Sequence, residues 1–208
     1  MKQKKSVKPS YRFYRGCYRI SRAIFGIFFR LEIIGREKIP KGAAMICSNH
    51  SSVIDPLLIA FAFGIGCFLH FIAKVEVFKI PILSFIVMKL GAISVDRAMM
   101  DVATIKKTFS YFKMGEKVAI FPEGTRKDIL DTSAAKNGAV KIAEYAEVPI
   151  VPVYVPRKKN WFGKVSLVIG EPYYILKEDV KRTVVDYTRL SGDLMARIEA
   201  LKPKVARS

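Results

Sequence analysis

The 208-residue chain is 51% apolar and 12% aromatic with modest Gly and Pro, which excludes intrinsic disorder and two full-sized domains and predicts one packed core. Its formal charge of +18 calls for a polyanionic partner, whether nucleic acid, anionic lipid or an acidic carrier protein. Cys17, Cys47 and Cys67 are odd in number and lack CxxC spacing, so a disulfide framework or zinc site is disfavoured and a reducing, cytosol-facing environment fits best.

Residues 1–41 hold twelve Lys/Arg against two acids, so +10 of the +18 lies in the first fifth of the chain. Residues 1–9 read as a solvated basic arm. Tyr11–Phe29 reads as a helix on which Arg12, Arg15, Arg19 and Arg22 share a face, with Tyr14, Tyr18, Phe25 and Phe28 elsewhere around it. That composition suits a helix lying in a membrane interface, and equally one docked on the core with solvated arginines. No small-residue cleavage site follows, so no signal peptide is expected. The sequence divides into residues 1–30, a basic arm and interfacial helix, and residues 31–208, a single domain.

From residue 31, β-like runs (Leu31–Ile34, Ala44–Cys47, Phe68–Ala73, Ala92–Val95, Val118–Phe121, Ile150–Val155, Val165–Ile169) alternate with helical patterns (Pro56–Phe63, Pro81–Leu90, Asp101–Met114, Lys136–Ala146). This alternation predicts an α/β layered fold with a mostly parallel central sheet flanked by helices. A final amphipathic helix is expected from about Glu178 to Leu201. Pro56–Ala73 runs eighteen residues without Asp, Glu, Lys or Arg, just the length of a membrane span. Gly64, Gly66 and His70 interrupt it, and the preferred reading is a buried helix, a turn, and a strand beginning near Phe68.

Chemistry is suggested at three strand ends. Cys47-Ser48-Asn49-His50-Ser51-Ser52-Val53-Ile54-Asp55-Pro56 places one of only two histidines between an apolar strand and an apolar helix. Five residues is about 140° of an ideal helix, so His50 must sit in the turn while Asp55 reaches back to hold one ring nitrogen, leaving the other as base. Ser48, Asn49, Ser51 and Ser52 read as ordinary N-cap residues. Ala119 to Arg126 runs a strand into Pro122-Glu123-Gly124-Thr125-Arg126, where Gly permits close backbone approach and Arg suits bidentate phosphate binding. Gly91 to Arg97 delivers an Asp-Arg pair at another strand end.

Together these segments resemble the glycerolipid acyltransferase family: His50 to Asp55 is its His-x4-Asp motif, Gly91 to Arg97 its second, Phe121 to Arg126 its Phe-Pro-Glu-Gly-Thr-Arg, and Val151 to Val153 its Val-Pro-Val. Ile72 to Phe78 resembles the stretch linking its first two motifs. The likeness covers about residues 31–170. Its implied fold is the family's single-domain layered α/β domain, here preceded by the interfacial helix. Its implied reaction is transfer of a fatty acyl group from acyl-CoA or acyl carrier protein to the hydroxyl of 1-acylglycerol 3-phosphate, making phosphatidic acid, with no cofactor, metal or acyl-enzyme. His50 would be the base and Asp55 its orienting partner. Arg97, Glu123, Gly124, Thr125 and Arg126 would form the headgroup site, Glu123 on a glycerol hydroxyl or on the loop itself, with Lys74 a further phosphate contact. One departure is Ala134-Ala135-Lys136-Asn137-Gly138, which keeps the family's Lys and Gly without its aromatic.

Access to lipid would depend on the N-terminal helix and on Arg157-Lys158-Lys159-Asn160-Trp161-Phe162, whose basic-aromatic composition suits an anionic surface. A peripheral or monotopic place on the cytoplasmic face of a membrane follows. The alternatives are transfer to glycerol 3-phosphate or another lysolipid, a non-catalytic membrane-binding protein, and a nucleic-acid-binding module. The last lacks any RRM, KH or zinc signature, so no nucleic-acid partner is expected.

Overall fold

The computed structural model describes residues 8–95, 102–124, 137–176, 180 and 183–203. Its strands are β1 (Arg30–Ile34), β2 (Ala44–Ser48), β3 (Leu69–Lys74), β4 (Ile93–Val95), β5 (Lys117–Ile120), β6 (Ile150–Tyr154) and β7 (Lys164–Ile169). They form one sheet in the order β1-β7-β6-β2-β5-β3-β4. Every neighbouring pair is parallel except β6 and β7. The helices are α1 (Tyr11–Phe28), α2 (Asp55–Phe63), α3 (Pro81–Lys89), α4 (Val102–Lys113), α5 (Gly138–Ala146) and α6 (Val184–Ala200).

The central strands are covered on both faces, which is why β2 and β6 read as unbroken apolar runs rather than as alternating ones. Successive side chains still part to opposite faces. Met45 and Cys47 meet α4, α5 and α6 through Tyr111, Val140 and Leu194. Ala44 and Ile46 face the other layer, with Leu58, Ile59 and Phe61 of α2 and Phe29 after α1. The apolar run from Pro56 resolves into α2, a turn and β3, and among the described residues no helix is long and apolar enough to cross a membrane. Arg36 closes α2 by donating to the Phe61 and Ala62 carbonyls at 3.0 Å each, a cation on the negative end of the helix.

The structure redraws α1. Its aromatic side is committed to the core: Tyr14 is buried and its hydroxyl donates to the Cys67 carbonyl at 2.8 Å, while Tyr11 and Tyr14 pack on Phe68, and Tyr18 and Phe25 on Phe61. Each such ring pair adds roughly 0.5–1.5 kcal/mol beyond burial. Besides Tyr11 at its start, the large apolar residues α1 leaves exposed are Ile20, Ile24 and Ile27, alongside exposed Arg12, Arg15, Arg19 and Arg22. At the other terminus α6 starts at Val184, capped by a reciprocal Thr183–Asp186 box. Glu178, its expected start, lies outside the described residues, as do Asp101 and Lys136.

The second histidine is structural. His70 is buried on β3, stacked on Tyr111, with Nδ1 on the Gly91 carbonyl and Nε2 on Glu116. Burial drives its pKa down to about 4, so it is neutral at physiological pH. Gly91 has φ of 75°, and a Cβ there would lie 2.4 Å from His70 Nδ1. Gly91→Ala is therefore expected to lower unfolding stability by about 2–4 kcal/mol, read as a drop in the urea midpoint at unchanged slope.

Candidate active site

The site is built where β2 runs out. Buried Asn49 clamps that end to the chain leaving β6: its Nδ2 donates to the Val155 carbonyl at 2.7 Å, and its Oδ1 accepts from the Val155 amide at 2.8 Å. Asn49 is thus a bridge between strand ends and not a helix cap; the cap position of α2 is Ile54, which has no side-chain bond. The clamp fixes the turn from which His50 projects.

His50 Nδ1 lies 3.0 Å from Asp55 Oδ2. The same oxygen accepts from the backbone amides of Ser51 and Ser52 at 2.7 Å each, the short distances of bonds to an ionised group. Asp55 is wholly buried at the first turn of α2. Burial by itself would raise its carboxyl, but the bonds from His50 and Lys159, the Lys159 charge and the Ser51 amide outweigh that and hold it below the usual carboxylate range. An ionised Asp55 is an acceptor only, so the ring nitrogen facing it, Nδ1, is the one that donates a proton to the pair, and Nε2 points away from it. The ring is stacked on Phe121 at 4.0 Å, which fixes its plane.

Glu123 closes the site from the β5 side. It is buried, with Oε2 accepting the His50 amide at 3.0 Å and Oε1 paired with Arg157 at 2.7 Å. Of its two expected roles, contact with a glycerol hydroxyl or with the protein's own loops, this geometry fits the second. Gly124 follows at φ of 69° with its amide on the Phe121 carbonyl, closing a turn that a Cβ would strain. Lys74 ends β3 at the same carboxyl edge of the sheet, exposed, with Glu76 at 3.5 Å. No contact joins it to the His50–Asp55 pair. Arg97, Thr125 and Arg126 lie outside the described residues.

Arg157 and Lys159 were expected on a surface loop. Instead they turn inward, with side chains 12% and 6% exposed, Arg157 onto Glu123 and Lys159 Nζ to 2.8 Å from Asp55 Oδ1 and 3.1 Å from Ser51 Oγ. Lys158 and Asn160 stay exposed, as does the aromatic end of the loop, Trp161 and Phe162. A basic-aromatic run looks the same in sequence whichever way its cations point. Beside this loop opens a cavity of about 570 Å³ whose apolar wall includes Phe25, Phe28, Phe29, Ile54 and Trp161, and whose polar rim is Ser51, Ser52, Arg157 and Lys159. Among the described residues no group of three or more His, Cys, Asp or Glu is placed to hold a metal ion.

Comparison with known proteins gives the family of the chain. The family profile described as Acyltransferase matches residues 30–156. A 1-acyl-sn-glycerol-3-phosphate acyltransferase of Borreliella burgdorferi is 32% identical over 72% of this chain and 60% of its own length. One from Bacillus subtilis is 30% identical over 77% of this chain and 82% of its own. The chain thus spans three fifths of the first relative and four fifths of the second. Among solved structures, the 1-acyl-sn-glycerophosphate acyltransferase PlsC of Thermotoga maritima superimposes with a TM-score of 0.68 at 26% identity, over 95% of this chain and 81% of that one.

The depressed Asp55 carboxyl has a consequence for stability. A carboxylate whose folded pKa lies below its unfolded value of about 3.9 stabilises the fold above about pH 4, and the contribution is lost as pH falls through the folded value. Asp55→Asn, which cannot titrate, is expected to unfold at lower urea than the unsubstituted chain at pH 7, with the gap narrowing by pH 3.

Proposed function

The chain belongs to the acyltransferase family, and on that premise we propose that it transfers a fatty acyl group from a thioester, acyl-CoA or acyl carrier protein, to the free hydroxyl of 1-acylglycerol 3-phosphate, giving phosphatidic acid for phospholipid synthesis. The observation that carries the reading is the His50–Asp55 pair set beside the rim of an apolar cavity. His50 Nε2 takes the proton of the acceptor hydroxyl. The oxygen attacks the thioester carbonyl, the tetrahedral intermediate collapses with loss of the thiolate, and the imidazolium protonates that sulfur, leaving ester, free thiol and neutral His50. Asp55 holds the tautomer and balances the imidazolium charge. The cavity wall of Phe25, Phe28, Phe29 and Trp161 suits an alkyl chain, which favours an acceptor already acylated over glycerol 3-phosphate.

The headgroup residues of this reading are Arg97, Thr125 and Arg126, carried on the family motifs, with Gly124 shaping the turn and Lys74 at the same sheet edge. Two or three cations match a phosphate monoester and leave a choline group without a partner. For membrane contact, Ile20, Ile24 and Ile27 fall on one side of α1, and Trp161 and Phe162 reach that helix at Phe28, so a single apolar edge borders the arginine-rich helix. This supports a peripheral seat on an anionic lipid surface.

His50→Ala is expected to lower acyl transfer by at least about a thousandfold with the fold retained, and Asp55→Asn to act in the same direction. The check is a labelled-acyl assay in which 1-acylglycerol 3-phosphate, glycerol 3-phosphate and lysophosphatidylcholine compete for each donor, with products resolved by thin-layer chromatography. Phosphatidic acid should dominate; dominant phosphatidylcholine would remove the arginines from the headgroup site. Replacing Ile20 and Ile27 together by Glu, both exposed, should weaken pelleting with anionic vesicles several-fold while leaving the circular dichroism spectrum unchanged.

A further inference from the structure

We propose that Lys159 is a positioning residue of the catalytic pair, a buried cation that locks Asp55 from the side opposite His50 and keeps the imidazole free of its proton in the working pH range. The proposal rests on the reading of His50 as base, and nothing in the sequence motifs points to Lys159. The two oxygens of Asp55 are used unequally. Oδ2 receives His50 and two backbone amides, whereas buried Oδ1 faces the Lys159 ammonium at 2.8 Å as its neutralising contact. Lys159 is itself held, its Nζ donating to Ser51 Oγ, which donates in turn to the Arg157 carbonyl. With its side chain 6% exposed, Lys159 has given up most of its hydration for this one carboxylate.

Charge counting gives the consequence. With Lys159 present, neutral His50, ionised Asp55 and the ammonium sum to zero, and a proton on His50 creates a net positive charge in a buried place. Without Lys159 the same proton neutralises a buried negative charge and is favoured. The other described charges around His50 are Glu123, whose Oε2 accepts the His50 amide, and Arg157 on Glu123, which offset each other and stay in both cases. Loss of the ammonium also removes one of the contacts that keep Asp55 ionised. Both effects make the pair take up protons at higher pH, so activity fails sooner on acidification. A lysine that merely braced the loop would instead lower the rate equally at every pH.

The test uses the full chain with Lys159→Met, Lys159→Gln, whose amide can bond Asp55 without charge, and Lys159→Arg. Two readouts are taken: the pH profile of kcat/KM and the titration of the His50 ring Cε1–H resonance. The second is readable because the chain has only one other histidine, His70, whose burial moves it to about pH 4. In both neutral variants the acid limb of the profile and the ring titration should move up by about one pH unit together, with activity recovering toward alkaline pH, and Arg should restore both. A ring titration unmoved in the neutral variants overturns the proposal whatever the rate does. A ring titration that moves while the acid limb stays in place supports the Lys159 coupling and removes His50 as the base. If the Met variant fails to fold, the Gln variant gives the same reading.

Discussion

The Asp55 carboxylate, wholly buried, is the constraint around which the site is arranged. An ionised group taken out of water costs several kcal/mol unless donors and an opposite charge are waiting for it. Here they come from two segments. The turn between β2 and α2 supplies the imidazole and two backbone amides, and the loop after β6 supplies an ammonium. Each of these depends on the others being in place, so the His50–Asp55 pair needs β2, α2 and β6 packed together. The clamp of Asn49 on Val155 ties the end of β2 to the loop after β6, and the pairing of Arg157 with Glu123 adds the turn after β5.

The parallel sheet explains why those segments meet. β2 has β5 on one side and β6 on the other, all running the same way, so their carboxyl ends open at one edge. The His50 turn, the Glu123 turn and the Arg157–Lys159 loop are the continuations of those three neighbours. The antiparallel β7 then carries the chain back beside β6, and β1 pairs with it, which brings the end of α1 against Trp161. Chemistry and apolar edge are therefore joined by six residues: 157 and 159 face the ion pairs, while 161 and 162 face α1.

Much of this was legible in the sequence. The alternation of apolar runs and helical periods placed the described strands and the helices α2 and α3 close to their observed ends, because burial on both faces leaves β2 and β6 unmistakably apolar and because Pro56 and Pro81 mark helix starts. The five-residue step from His50 to Asp55 implied a turn followed by a helix, and that local geometry needs only backbone stereochemistry. The charge bias of the first 41 residues was equally plain. Less visible was which side of α1 faces the core, since Tyr and Phe serve an interface or a core alike and only Phe61 and Phe68 decide between them.

What the tertiary structure alone decided is the fate of charges distant in sequence. Lys159 lies more than a hundred residues from Ser51, and no local pattern separates a lysine that ends in water from one that ends on a buried carboxylate. Glu123 likewise could serve a glycerol hydroxyl or its own loops as far as local pattern goes, and its two oxygens lie on the His50 amide and on Arg157. The sequence by itself determined the residue types, the periodicities and the turn that pairs His50 with Asp55, because these are local. The partners of Asp55 Oδ1 and of Glu123 were settled by the sheet order, because long-range pairing depends on which strand ends the fold places side by side.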